Sequence, residues 1–244
     1  MKRIRTDLDV PARALAVGAH PDDVEFGCGA TLAKWAASGC EVHHLVCTDG
    51  SKGSWEPGED LAALVATRQE EQRAASRALG GEGRVTFLGW TDGELEAGLE
   101  QRRQVAACIR RTRPEVVLGH DPWRRWRLHP DHRHAGFLAT DGIVAARDPH
   151  FFPELGLEHW RPSALLLWEA DEIDHVEDAS EWVEVKLRAL LEHRSQLRST
   201  MAIDDPGNEQ QVAAFRARVL GRLADHGRMA GLALGEGFKL VTGL

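Results

Sequence analysis

Residues 20–23 of this chain have the sequence His-Pro-Asp-Asp, which places one imidazole and two carboxylates in a single short turn. An apolar run at 14–17 predicts a buried strand that ends just before this turn. His20 and Asp23 can both donate to one hard or borderline cation, such as zinc, while Asp22 stays free beside them. Aspartates after a proline are also common in turns and helix caps, so this segment alone leaves a capping role open.

A second cluster of the same residue types lies far along the chain, where residues 129–132 have the sequence His-Pro-Asp-His. It follows another apolar run, at 116–119, which also predicts a strand. Ligands of open α/β sheets bind beyond the carboxyl ends of strands. We therefore expect the two clusters to converge, although Asp131 can also cap the helix that begins beside it.

The elements that must position these clusters alternate along the chain after a loose arm at 1–11. Strands are predicted at 12–18, 41–48, 85–88, 115–119 and 164–168, with shorter ones around Val176 and at 238–241. Helices are predicted at 27–38, 60–79, 98–112, from 132 to about 147, at 180–194 and at 208–226. This alternation with short connections predicts an α/β fold with a doubly wound, mostly parallel sheet flanked by helices. No linker or repeat interrupts it, so residues 1–244 are expected to form a single domain.

The composition limits the class of protein. In 244 residues, 43% hydrophobic and 28% charged residues are typical of a soluble globular protein, and no apolar run reaches the roughly 18 residues that span a bilayer. The charged N-terminus lacks the apolar segment of a secretory signal, so we expect a cytoplasmic protein. A net charge of -8 argues against a nucleic-acid partner. The four cysteines lack Cys-x-x-Cys spacing and are expected to be small core residues.

Taken together, the two clusters resemble the motifs of the LmbE-like/PIG-L family of metal-dependent N-deacetylases. The resemblance covers most of the chain and includes weaker signals, namely Thr48-Asp49-Gly50, Arg68-x-x-Glu71, Leu88-Gly89, Asp92-Gly93 and the sequence His-Arg-Ser-Gln at 193–196. It implies a Rossmann-like fold and a catalytic zinc ion held by His20, Asp23 and His132. Fe²⁺ or another divalent ion can use the same ligands.

The resemblance also implies a reaction, the removal of an acetyl group from an N-acetylglucosaminyl conjugate, with a small-molecule amino sugar or glycoconjugate as substrate. Family members act in this way on the mycothiol and bacillithiol pathways. Asp22 is then the general base, and His129, oriented by Asp131, is the second acid/base or electrostatic group. A zinc ion with three protein ligands leaves a position for a water whose pKa falls to roughly 7. Asp131 would raise the pKa of His129, whose imidazolium would help to hold the oxyanion.

Four residues are weaker candidates for substrate contacts, namely Asp49, Arg68, Asp92 and Arg127. Asp49 either lines the site or only forms the turn at Gly50. Arg68 is expected to be scaffold, paired with Glu70 or Glu71 on its own helix. Some relatives bring a Tyr near the oxyanion, and since this chain has no Tyr, Arg127 is a candidate substitute.

Specificity is expected to come from the loops at 50–60, 90–97, 121–128 and 148–163. In the loop before the second cluster, the Trp and Arg residues of 123–127 can stack on a sugar and bind an anion, or simply pack and remain solvated. Trp55 has the same two interpretations. The aromatic segment 148–163 is either a lid or a subunit contact, so a homo-oligomer stays possible.

Three rival interpretations remain. The sequence His-x-Asp at 20–22 with a distant His also matches the ligands of non-haem iron oxygenases, but those sites usually lie in all-β barrels. Residues 27–29 suggest a dinucleotide loop, but the third glycine is missing and the preceding carboxylates repel phosphate. A binding protein that keeps the fold without catalysis is the third alternative.

Overall fold

The computed structural model describes residues 4–244 and contains one mixed sheet. Its strands are β1 Arg5–Thr6, β2 Arg13–Gly18, β3 Glu41–Thr48, β4 Val85–Trp90, β5 Val116–His120, β6 Ala164–Trp168, β7 His175–Asp178 and β8 Gly235–Thr242. Its α-helices are α1 Asp23–Ala37, α2 Leu61–Ala78, α3 Leu99–Thr112, α4 Pro130–Arg147, α5 Val183–Leu191 and α6 Glu209–Ala230. Two short 3-10 helices occupy Pro153–Leu155 and Arg194–Gln196.

The strand order across the sheet is β1-β7-β8-β6-β5-β2-β3-β4, and β8 alone runs antiparallel to its neighbours. The first strand, β1, lies at one edge of the sheet. From β2 the chain winds first through β3 and β4 to the other edge, then in the opposite direction through β5 and β6. Val17 of β2 pairs with Leu45 on one side and Gly119 on the other. The predicted doubly wound, mostly parallel sheet is confirmed. Its switch point, where ligands of such folds bind, lies between β2 and β5.

Both faces of the central strands are buried, which explains their continuous apolar sequence. In β2, Leu15 and Val17 belong to a core shared with α3 and α4, while Ala14 and Ala16 face a second core shared with α1 and α2. Strand side chains alternate between faces, so each apolar residue contributes to one of the two layers. Burying such a Leu or Val stabilises the fold by about 1.5–3 kcal/mol.

A third apolar cluster joins α5 and α6 to the outer side of α1. Phe215, Val219 and Leu223 follow at four-residue spacing along α6, so they form one stripe facing this cluster. Phe26 of α1 packs against Phe215 with ring centroids 6.3 Å apart. This contact places α6 next to the turn that follows β2.

Helix α1 departs from the prediction because it starts at Asp23 rather than at residue 27 and is interrupted at Cys28, where φ is -146°. A Cβ atom at Gly27 would lie 2.5 Å from the Trp168 ring, so only glycine allows this close approach. Because α1 starts at Asp23, its first turn contains the last residue of the first cluster.

The other predicted strands and helices are present within a few residues of their expected ends. The arm at 1–11 is more ordered than expected, since Arg5–Thr6 pairs in parallel with β7; its residues 1–3 lie outside the described part. All four cysteines are buried and free, which confirms their assignment as core residues. Within residues 4–244, no helix is both long and apolar enough to cross a membrane.

Candidate active site

The first cluster lies at the carboxyl end of β2, where the chain turns into α1. The carboxylate of Asp23 accepts a hydrogen bond from the backbone N–H of His20 at 2.7 Å, which closes the turn. Asp22 has a φ of 104°, a left-handed conformation that is rare for a residue with a Cβ atom. The turn thus directs three functional side chains, His20, Asp22 and Asp23, toward the switch point of the sheet.

The second cluster begins α4, with His129 at the N-cap and Pro130 in the first turn, a position that proline favours. The nitrogen Nε2 of His132 lies 3.3 Å from Oδ1 of Asp23, and Nδ1 of His20 lies 3.4 Å from Oδ2 of the same carboxylate. The ring centroids of His20 and His132 are 5.2 Å apart. The two distant clusters therefore meet, as the sequence predicted.

His20, Asp23 and His132, which we call the donor set, suit a small divalent cation. Two ligands about 2.0–2.2 Å from a tetrahedral zinc ion lie about 3.3 Å apart, which matches the observed spacing. Burial lowers the pKa of His132 to about 4, so its ring is neutral. Burial opposes ionisation of Asp23, but its contacts with His132, His120 and His20 hold the pKa of its carboxyl well below the usual range. His132 and Asp23 are thus in the protonation state that a metal ligand needs. Burial opposes protonation of His20, but hydrogen bonds with Asp131, Asp23 and Asp92 raise its pKa well above the usual value, so a bound cation must displace a proton from its ring.

Sequence reasoning missed His120, the last residue of β5, although its place after an apolar strand offered the same signal as the first cluster. Its Nε2 lies 3.2 Å from Oδ2 of Asp23, and its ring stacks on His132 with centroids 4.4 Å apart. Trp168 donates its indole N–H to Nδ1 of His120 at 2.9 Å. An indole nitrogen can only donate, so a neutral His120 carries its proton on Nε2, the atom that faces Asp23.

Asp131 has a different partner from the one that the sequence analysis gave it. Its carboxylate contacts Nε2 of His20 at 3.1 Å and accepts hydrogen bonds from the backbone N–H groups of Gly93 and Leu95. It therefore orients His20 rather than His129. Such a carboxylate partner fixes the ring of a metal-binding histidine and leaves Nδ1 free to coordinate.

Asp22 is buried beside the donor set and lines the cavity described below. Its Oδ2 lies 3.7 Å from a guanidinium nitrogen of Arg68. Burial raises the pKa of Asp22 to about 6, against the opposing charge of Arg68. Asp22 therefore provides a carboxylate that is next to Asp23 in the chain and does not belong to the donor set.

His129 also lines the cavity, but its electrostatics differ from the expectation. Burial and the nearby charge of His20 lower its pKa, whereas the sequence analysis expected Asp131 to raise it. Its ring stacks on His132 with centroids 4.6 Å apart and meets His20 edge-on at 4.7 Å. His129 is therefore held as a neutral imidazole against the donor set.

Of the weaker candidates, Asp92 lines the cavity and its Oδ1 lies 3.1 Å from Nε2 of His20. Asp49 does not line it, because its carboxylate accepts hydrogen bonds from the N–H groups of Ser51 and Asp92 and forms the turn. Arg127 does not line it either. The expected oxyanion contact from Arg127 is thus absent from the cavity wall.

Arg68 is scaffold, as expected, but not through a pair on its own helix. It is buried and donates to the carbonyl oxygens of Gly50 at 2.8 Å and Pro21 at 2.7 Å, which joins two loops around Asp22. The predicted partner Glu71 instead accepts hydrogen bonds from the N–H and hydroxyl groups of Ser195. The prediction that Arg68 pairs with Glu70 or Glu71 on its own helix is wrong, because its guanidinium group donates to buried backbone carbonyl oxygens instead.

A cavity of about 750 Å³ opens over the donor set, which is within the usual size of a small-ligand site. The loops at 50–60 and 90–97 line it, and Trp55 stands at its edge with 85% of its surface exposed. The expected loops at 121–128 and 148–163 contribute nothing to the lining, so the sugar and anion contacts considered for 123–127 are not at this cavity. The opposite wall consists of α6 and the segment before it, which sequence reasoning did not identify.

The chain matches the model of a known protein family. The family model described as "PIG-L: GlcNAc-PI de-N-acetylase" matches residues 15–143, which contain both clusters. The chain belongs to the PIG-L family. The resemblance seen in the sequence is thereby confirmed.

Two relatives of this chain are deacetylases of N-acetylated sugars. The chain is 32% identical over 235 residues to the diacetylchitobiose deacetylase of Thermococcus kodakarensis, covering 95% of this chain and 84% of that protein. It is 35% identical over 173 residues to the 1D-myo-inositol 2-acetamido-2-deoxy-alpha-D-glucopyranoside deacetylase of Streptomyces avermitilis, covering 61% of this chain and 58% of that protein.

Solved structures agree on the fold. The N,N'-diacetylchitobiose deacetylase from Pyrococcus horikoshii superposes with a TM-score of 0.85 at 28% identity, over 96% of this chain and 85% of that one. The 4-carboxy-2-hydroxymuconate hydratase GalB from Pseudomonas putida has a TM-score of 0.76 at 22% identity and shares the fold alone, over 95% of this chain and 97% of that one. A hydratase on this fold means that the reaction must be argued from the site.

Proposed function

We propose that this protein is a zinc-dependent N-deacetylase that hydrolyses the acetamide of an N-acetylglucosaminyl conjugate. His20, Asp23 and His132 hold the metal ion, and Asp22 is the general base. The observation that carries the proposal is the meeting of two distant clusters at a spacing that suits one cation, with a free buried carboxylate beside it. The activities of the PIG-L relatives support the substrate class.

A bound zinc ion supplies a Lewis acid for the acetyl carbonyl and lowers the pKa of a coordinated water to about 7. Asp22 removes the proton of the attacking water, since its carboxylate lines the cavity and adjoins the donor set, and passes it to the amine nitrogen as the C–N bond breaks. Hydrogen bonds from Arg68 to the loops on either side keep that carboxylate in place. Proton transfer to a positioned base of this kind contributes about 10²–10⁴-fold to the rate.

His129 acts on the other side of the reacting amide. Its neutral ring, fixed between His132 and His20, can donate one N–H to the carbonyl oxygen as negative charge develops there. Asp131 acts through His20, which it orients, and is a positioning residue. No tyrosine is needed for this arrangement, and the chain contains none.

The test is acetate release by the zinc-loaded protein from diacetylchitobiose and from N-acetylglucosaminyl-inositol. We expect Asp22→Asn to retain zinc and lose about 10²–10⁴-fold in kcat, because only the base is removed. His132→Ala is expected to lose the metal itself. Asp225→Asn, an exposed carboxylate on α6, is the matched control and should behave like the wild type.

Full activity of Asp22→Asn would remove Asp22 from the role of base. Full zinc occupancy of His132→Ala would reassign the ligand. Parallel loading with Fe²⁺, Co²⁺ and Mn²⁺ tests the identity of the metal, and higher turnover with iron would contradict zinc dependence.

A further inference from the structure

Beside His120, three arginines surround the carboxylate of Glu169, which lines the cavity; of the three, only Arg222 lines it as well. Arg127 binds Oε2 in a close ion pair, while Arg124 and Arg222 lie 3.6 and 3.9 Å from Oε1. Burial opposes ionisation of Glu169, but the nearby His120 and Arg127 lower its pKa to about 2. One negative charge thus faces three permanent positive charges.

Two further carboxylates, those of Asp121 and Asp171, interact with Arg124 and balance part of this positive charge. Arg124 and Arg222 have 40% and 59% of their side chains exposed, and neither guanidinium donates a hydrogen bond to any residue in 4–244. The nearby carboxylate of Asp171 is bound by the backbone N–H of Arg125. The excess positive charge beside the cavity is therefore that of Arg222, a local reversal of sign in a chain with a net charge of -8.

Helix α6 brings two cations to the cavity itself, Arg222 and a further arginine, Arg218. Arg218 and Arg222 are one turn apart on the same face and both line the cavity, together with Glu169. Arg218 donates one N–H to the carbonyl of Met201 and lies over the Phe215 ring at 5.6 Å, which fixes its direction. Arg222 is the freer of the two.

Resting on the proposed function, we propose that the substrate carries an anionic substituent, a phosphate or a carboxylate. Arg222 binds this group, and the charge of Arg218 assists. Guanidinium groups bind both anions through paired hydrogen bonds. Glu169 and His120 separate this subsite from Asp23, with contacts of 3.6 and 3.2 Å. The acetamide lies at the donor set, and the charged group of the same sugar conjugate lies toward α6.

The experiment compares acetate release from N-acetylglucosamine, from its phosphate ester at the primary hydroxyl, and from N-acetylmuramic acid, which carries a carboxylate. A charge-assisted hydrogen bond is worth about 1.5–3 kcal/mol, so kcat/KM for an anionic substrate should exceed that for the neutral sugar about 10–100-fold. The preference should weaken as salt is added, because the subsite is partly exposed. A preference for the phosphate or for the carboxylate alone identifies the anion.

Arg222→Gln should reduce the ratio of anionic to neutral kcat/KM about tenfold or more. Arg228→Gln is the matched control, since Arg228 is on the same helix, pairs with the exposed Asp225 and lies outside the cavity. Equal rates with neutral and anionic sugars, or an unchanged ratio in Arg222→Gln, would overturn the anionic subsite while leaving deacetylation intact. Absence of acetate from all three sugars and from the conjugates tested above would overturn the proposed function as well.

Discussion

Buried hydrogen bonds that begin at Gln72 hold the backbone of Asp22 in its left-handed conformation. Its backbone N–H donates to Oε1 of Gln72 at 2.9 Å. The amide nitrogen of Gln72 then contacts Glu25 at 2.8 Å and His44 at 3.2 Å. Left-handed backbone costs about 1–3 kcal/mol for a residue other than glycine and persists only where its surroundings impose it.

We therefore expect Gln72→Met to lower kcat by about 10²-fold with a much smaller effect on KM, because a shift of about 1 Å in a catalytic group has this cost. Zinc content should not change, since the donor set is untouched. The control is Gln104→Met, which also removes a side-chain acceptor, here of Trp90, but outside the cavity. Wild-type kcat in Gln72→Met would show that the buried network does not position Asp22.

The residue types and spacing of the two clusters were enough to predict which side chains meet. The partners of those side chains were not predictable, because they depend on how separate loops pack. Asp131 contacts His20 since the loop at 90–97 binds the same carboxylate through Gly93. His120 was not predicted because, although it follows an apolar strand, it is a lone histidine and belongs to no recognisable motif.

At the scale of elements, the break in α1 is stabilised by a buried ion pair. Glu236 of β8 accepts hydrogen bonds from the N–H groups of Ala30 and Thr31, as an N-cap does, where the helix resumes. Lys186 of α5 donates to Glu236 at 2.6 Å and to the carbonyl of Phe26 at 2.8 Å. The pair thus satisfies backbone groups on both sides of the break.

Lys186→Met should destabilise the protein by about 3–5 kcal/mol in urea denaturation, because it leaves the buried Glu236 charge without a counterion. The double variant Lys186→Met with Glu236→Gln should cost less than the two single variants together. Arg228→Met, which breaks an exposed pair on α6, should cost under about 1 kcal/mol. Additive effects of the two buried substitutions would contradict this account of the break.

The N-terminal strand is attached through a pH-sensitive contact. Burial opposes ionisation of Asp7, but its hydrogen bond with Lys34 and the N–H of Asp178 lower its pKa from 3.8. A carboxyl whose pKa is lowered by folding stabilises the fold fully above its unfolded value and loses that contribution as pH falls through the folded value.

Asp7→Asn should therefore unfold at lower urea than the wild type at about pH 7, and the difference should shrink as pH is lowered toward about 3. Lys34 also binds Glu177 at 2.6 Å, so the variant keeps one of its two partners. A difference in urea midpoint that stays constant across this range would exclude Asp7 as its source.

At the scale of the molecule, the doubly wound order brings the ends of β2 and β5 side by side, and the two clusters with them. Strand and helix periodicity predicted the alternating elements and the doubly wound sheet, because each element buries its own apolar face. The cavity wall formed by α6 was not predictable in the same way. It depends on the packing of Phe26 against Phe215, a contact between distant segments that no local pattern encodes.

The central claim is that the two clusters share one cation. Anomalous diffraction from a crystal of the zinc-loaded protein, recorded on both sides of the zinc edge, tests it directly. We expect a single ion about 2.0–2.2 Å from Nδ1 of His20, a carboxylate oxygen of Asp23 and Nε2 of His132, with Asp22 unbound. An ion held instead by His20, Asp92 and Asp131, or no ion between the clusters, would contradict it.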